Sequence, residues 1–151
     1  MALNPDFVGR SYPAGSSYLV GREKIREFAD AVGDPSPVYR DVDAARALGH
    51  ADVVAPPTFG VVATRGPQLA VIDDPDLGLD FTRVVHGDQR FAYERAIVAG
   101  DRLSVVAAIE SARTVAGNDI VTIRSDVTAE HGEPVATVWA TLVARAPETG
   151  A

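Results

Sequence analysis

The stretch GDPSPVY, residues 33 to 39, sets a carboxylate and a phenol in one loop that two prolines stiffen. Asp34 is of a type that can hold or move a proton, and Tyr39 closes the loop where a proton-transfer residue is expected. A phenol is a weak candidate for a base, because with a pKa of about 10 it stays protonated near neutral pH. Imidazole suits that task better. Of the three histidines, His50 follows Gly49 at a helix end and His131 sits in the turn HGE, which fit a helix terminus and solvent. His86, in RVVHGDQRF, is the remaining candidate. Each of these residues also has a plainer reading. Asp34 suits hydrogen bonding to turn amides, Tyr39 suits a buried ring with a satisfied hydroxyl, and His86 suits a structural hydrogen bond in a strand. No two histidines have metal-ligand spacing, and the chain has no cysteine, so neither a metal nor another cofactor is expected.

The loop needs elements on both sides to hold it. In REKIREFADAVG, Ile25, Phe28, Ala29 and Val32 recur at helical spacing with charges opposite, and Gly33 stops the helix. DVDAARALGH predicts a second, short helix from the capping Asp41 to Gly49. Next come Pro56, Pro57 and Thr58 before a mostly apolar run, which predicts a helix over 58 to 72 with Thr58 as its cap and a kink or break at Gly66-Pro67. A helix apolar nearly all round must be covered. The cover lies in the second half, where four runs rich in β-branched and aromatic residues begin near Arg83, Asp101, Asn118 and Pro134 and are divided by AGD, AGN and HGE turns. SSYLVG, 16 to 21, adds a short edge strand, and residues 1 to 15 read as an irregular arm anchored by Phe7, Val8 and Tyr12. Strands after helices give an α+β fold, an antiparallel sheet around a central hydrophobic helix, in one domain over 1-151.

The 151 residues carry 14 basic and 21 acidic side chains, a formal charge of -7, which argues against a phosphate-backbone partner. Only Lys24 is lysine. No stretch approaches the ~20 apolar residues that span a bilayer, and MALNPDFVGR lacks the pattern of a secretory signal, so a cytoplasmic protein without nucleic-acid or membrane partners is expected.

GDPSPVY resembles the signature loop of the MaoC-like hot-dog dehydratases, G-D-x-N-P-aliphatic-H, at Gly33, Asp34, Pro37 and Val38, with Ser36 at the asparagine position and Tyr39 at the histidine position. VAPPTF and VVHGDQRFAYERAIVAGD extend the resemblance over nearly the whole chain, toward the N-terminal type of domain found in the HadA and HadC subunits of actinobacterial (3R)-hydroxyacyl-ACP dehydratase. The resemblance implies a hot-dog fold and an acyl thioester ligand, on CoA or on acyl carrier protein. It also implies that the usual Asp/His acid–base pair lacks its histidine here, and that Pro56 and Pro57 remove N–H donors where the family stabilises an enolate oxygen at the helix start. The reading that follows is a fatty-acid-type (3R)-hydroxyacyl-thioester dehydratase subunit that binds substrate or stabilises a catalytic partner, as a heterodimer with a second hot-dog subunit or as a homodimer. Two alternatives stay open: a stand-alone enoyl-CoA hydratase/dehydratase using Asp34 with His86 or Tyr39, and an acyl-thioester-binding module without turnover. Pro57, Thr58, Phe59 and Val62 are the substrate-binding candidates, and Val61, Ala63, Leu69 and Ile72 could share the wall of an acyl tunnel with the core.

Overall fold

The computed structural model describes residues 2–146. Helix α1, Arg22–Val32, buries Ile25 and Ala29 and ends at Gly33, whose φ of 73° lets the chain turn left-handed without a Cβ penalty. Asp34 and Gly33 then donate N–H bonds back to the Ala29 and Asp30 carbonyls at 2.9 and 3.1 Å. Asp41 caps α2, Val42–Ala47, its carboxylate accepting from the amides of Asp43 and Ala44. Both helices stand where the apolar spacing places them.

The central helix α3, Gly60–Ile72, differs at its start and middle. Thr58 is exposed and caps nothing, and the helix begins at Gly60 after an N-cap Phe59 with no side-chain bond. The diproline enters a tight turn first: Phe59 donates to the Pro56 carbonyl at 2.9 Å and Val61 to that of Thr58 at 3.2 Å. No break occurs at Gly66-Pro67. The helix runs through Pro67 because Ala63 and Val71, on either side, are buried by the same sheet, and tertiary burial outweighs a missing N–H.

Around α3 curves one antiparallel sheet of six strands, the hot-dog arrangement. Short β1 (Ser11–Tyr12) and β2 (Tyr18–Leu19) both pair with β4, Arg102–Val115, which is followed across the sheet by β5 (Asn118–Thr128), β6 (Pro134–Ala144) and β3 (Val84–Tyr93) at the far edge. Burial alternates along β4 to β6, so one face packs on the helix and the other meets solvent. Two apolar clusters result. One, at the N-terminal end of α3, gathers Phe59, Ile25, Val53, Leu103 and Val138, with Tyr39 and Tyr93 packed on it. The other, at the C-terminal end, gathers Val71, Leu77, Ile109, Ile123 and Leu142 with Phe7.

The arm at 2 to 15 is anchored by Phe7 and by Tyr12, whose hydroxyl donates to Asp74 Oδ2 at 2.8 Å while Arg10 lies 3.4 Å from the same oxygen. Burial, then the Asp74 bond, push the Tyr12 phenol up to about 12, and that bond holds Asp74 below the usual carboxylate range. A folded-state pKa above the unfolded value near 10 means that this contribution is complete below pH 10 and is lost as pH rises toward 12. Asp74 acts in the opposite direction, its contribution being lost on acidification. Tyr12→Phe is therefore expected to cost about 1 kcal/mol at neutral pH, after discounting for solvent around the ring, and to abolish that alkaline decline. Urea titrations between pH 7 and 12 measure both.

Candidate active site and acyl chamber

The loop 33 to 40 is held at three points. Arg40 spans it, donating to Asp30 Oδ1 at 2.6 Å and to the Ser36 carbonyl at 3.0 Å. Val54 donates to the Val38 carbonyl at 3.1 Å, tying the loop to the segment that leads into α3. Within it, Asp34 Oδ1 accepts the Ser36 amide at 3.1 Å, an Asx turn that spends one carboxylate oxygen on the loop itself. Tyr39 is half-buried with its ring on the cluster around Phe59. Its phenol is raised above the ordinary value, first by burial and then by the negative charge of Asp34 beside it. Asp34 and Tyr39 are thus brought together, and the pairing makes Tyr39 a weaker base than a free tyrosine.

At the start of α3 lies a group that the sequence patterns did not single out. The Tyr93 hydroxyl donates to the Pro57 carbonyl at 2.6 Å, and its ring stacks on Phe91 at 6.2 Å between centroids. Burial raises this phenol too, opposed by the Gly60 amide, which acts on the same oxygen. A Cβ on Gly60 would stand 3.2 Å from the hydroxyl and 3.1 Å from Val138, so glycine is what lets Tyr93 approach. The end of the helix where amides would attract an anion is closed by a side chain of the protein. A pocket of about 240 Å³ opens there, with Pro57, Tyr93 and Ile97 among its walls. Of the substrate-binding candidates, Pro57 lines that pocket, Thr58 is exposed near it, Val62 is half-buried and Phe59 is fully buried in the core.

His86 is elsewhere. Inward-facing residues of β3 count back from Tyr93 through Phe91 to Gln89, and strict alternation would then place Val85 inside and His86 outside. A bulge at Gly87, between the pairs His86–Leu142 and Asp88–Thr141, inserts one extra residue and reverses the parity. Val84 and His86 consequently face a second chamber of about 390 Å³ along the flank of α3, with Val61, Leu69, Ile72 and Leu142 as apolar wall. Seven positions of strand, roughly 20 Å, separate His86 from Tyr93. Within one chain His86 is therefore set apart from the Tyr93 end of β3, on a chamber that runs along the flank of α3. Val61, Leu69 and Ile72 line this chamber, whereas Ala63 belongs to the core.

His131 is exposed in its turn at a φ of 60°, and His50 is half-buried beyond α2. Among the described residues no cluster of His, Asp and Glu could hold a metal ion, and no helix is long and apolar enough to cross a membrane.

A sheet wrapped around one helix, with an Asp-bearing loop docked beside the helix start, defines a hot-dog protein of the MaoC-like kind. Residues 6–138 match the family model described as FAS1-like, dehydratase domain region, and the chain belongs to that family. It is 60% identical over 150 residues to a UPF0336 protein of Streptomyces avermitilis, covering 99% of this chain and 100% of that one. Among solved structures, a MaoC-like dehydratase superposes with a TM-score of 0.87 at 35% identity over 94% of this chain, which spans 43% of that larger protein. The HadBC (3R-hydroxyacyl-ACP dehydratase) complex of Mycobacterium tuberculosis includes a chain with a TM-score of 0.84 and 34% identity, covering 93% of this chain and 99% of its own.

Proposed function

We propose that this chain is the substrate-binding subunit of a (3R)-hydroxyacyl-thioester dehydratase and takes its catalytic base from a second hot-dog subunit. The observation that carries the reading is Tyr39: at the base position stands a phenol whose proton is held more tightly than usual by burial and by Asp34. Removal of a weakly acidic C2 proton needs a base that titrates near the working pH, and this group does not. The helix start agrees, since Pro56 and Pro57 carry no amide hydrogen to offer a developing enolate and the Tyr93 hydroxyl already lies there, donating to the Pro57 carbonyl. The HadBC neighbour is itself a complex of hot-dog subunits, in accord with a partner here. The outer edge of β3 has no strand beside it among the described residues, and a second hot-dog pairing there would extend the sheet and shelter exposed Val85.

Loss of enoyl absorbance from crotonyl-CoA tests this. The isolated chain is expected to show no hydration above background, and activity is expected to appear when a second hot-dog subunit carrying the complete Asp/His loop is added. Brisk turnover by the isolated chain, abolished in Asp34→Asn, would instead establish the stand-alone hydratase, and tight acyl-CoA binding without turnover in either mixture would establish a binding module.

A further inference from the structure

On the reading above that a second hot-dog subunit supplies the base, we propose that Arg65 decides which subunit that is: it fits an unlike partner presenting a carboxylate opposite it and turns away a second copy of this chain. The surface concerned is the flank where α3 lies beside β3. Val61, Leu69 and Ile72 of α3 and Val84 of β3 are half-buried there, and Phe81 next to them is exposed. The outer edge of β3 is unpaired among the described residues, so a hot-dog strand added to it brings its own central helix toward this flank.

The charge on the flank has one sign. Arg65 is exposed and makes no hydrogen bond or ion pair among the described residues. The Gly87 bulge turns His86 to the same side, and an imidazole is neutral or positive, never negative. No carboxylate lines this chamber, and Asp88, next to inward-facing Gln89, points to the outer face of the sheet. The polar side chains that remain are held by the protein itself: Gln68 Nε2 reaches Thr64 Oγ1 and the fully buried Ser125 Oγ, and Gln89 Nε2 donates to the Trp139 carbonyl at 2.8 Å. Around the Asp34 loop, by contrast, Arg22, Arg26 and Arg40 are all ion-paired. In a chain of formal charge -7, Arg65 is a cation left for something outside the fold.

Symmetry separates the two partners. Two copies paired along β3 are related by a two-fold axis crossing the strand near its middle, and a residue close to that axis meets its own counterpart. Arg65 stands next to the midpoint of α3 and shares the chamber with His86 and Gln89 of β3, so in a like pair guanidinium faces guanidinium. Like charges set together in a partly dehydrated interface suppress that pairing, whereas a carboxylate in the same place takes a two-pronged bond from the guanidinium.

Sedimentation equilibrium without any thioester tests this, with the Arg65→Glu chain as the probe that carries the carboxylate. An equimolar mixture of parent and Arg65→Glu is expected to dimerise about tenfold or more tightly than either protein alone. Arg65→Gln, which removes one charge without supplying the other, is expected to self-associate more tightly than the parent. Residue 65 is exposed, so both variants are expected to keep the parent's urea midpoint. A parent that dimerises as tightly as the mixture, a mixture that stays monomeric, or an Arg65→Gln chain no more associated than the parent would overturn the assignment. No turnover enters these measurements, so an isolated chain that hydrates crotonyl-CoA would end the catalytic-partner reading and leave the role of Arg65 to be decided by association alone.

Discussion

The substitution Tyr39→His is expected to give the isolated chain hydration of crotonyl-CoA about 10²-fold above the parent, the lower end of what a positioned acid–base group contributes. The loop that would hold the imidazole is already built. Arg40 ties it to α1, Val54 ties it to the approach to α3, and the Asx turn of Asp34 sets the carboxylate beside residue 39. Exchanging a phenol raised above pKa 10 for an imidazole near 6.5 supplies a base that is largely free at neutral pH. The smaller ring fits within the half-buried volume that Tyr39 vacates. The gain stays modest because Pro56 and Pro57 carry no amide hydrogen and Tyr93 still closes the helix start. Adding Asp34→Asn to this background should return the rate to that of the parent. A Tyr39→His protein that folds and shows no gain would mean that residue 39 is not the seat of the base in this chain.

Most of the framework was legible because its signals are local. Helical spacing of Ile25, Phe28 and Ala29, closed by Gly33, needs nothing from the rest of the fold, and each long strand is bounded by its own turn residues. The parts of the site that escaped depend on contacts distant in sequence. Tyr93 reads as an ordinary strand aromatic until its hydroxyl is found on Pro57, across a separation of 36 residues. Gly87 is one glycine among 13, and only its pairing with β6 reveals the bulge that turns His86 inward. Thr58 was a sound cap by type, but the diproline takes a turn before the helix begins, and the polar closure of that end comes from another strand. Ser125 would pass as a surface residue of β5, yet it is fully buried and reached by Gln68 from α3. Residue type and spacing found the loop. Which face of the sheet His86 takes required the register.

Phe59 separates core from ligand wall by the size of its effect. It is expected to cost about 3–5 kcal/mol when replaced by alanine, measured as a fall in urea midpoint at constant slope. The side chain is fully buried and meets Phe28 edge to face at 5.4 Å between centroids, at an interplanar angle of 79°. Ile25, Val53 and Val138 complete its cluster, and Val138 also touches the position where Gly60 would carry a Cβ. With β6 on one side and α1 on the other, the site has little room to collapse, so the cavity term adds to the lost transfer energy. Phe59→Leu, which retains much of the volume, should cost less than half as much. An acyl-wall residue behaves differently, because its truncation enlarges a chamber that already holds solvent or ligand. For Phe59→Ala, a loss below about 1 kcal/mol together with a shift of acyl preference toward longer chains would place Phe59 in the substrate wall. The full loss would show that the N-cap residue of α3 clamps the helix to the sheet and is not part of a ligand wall.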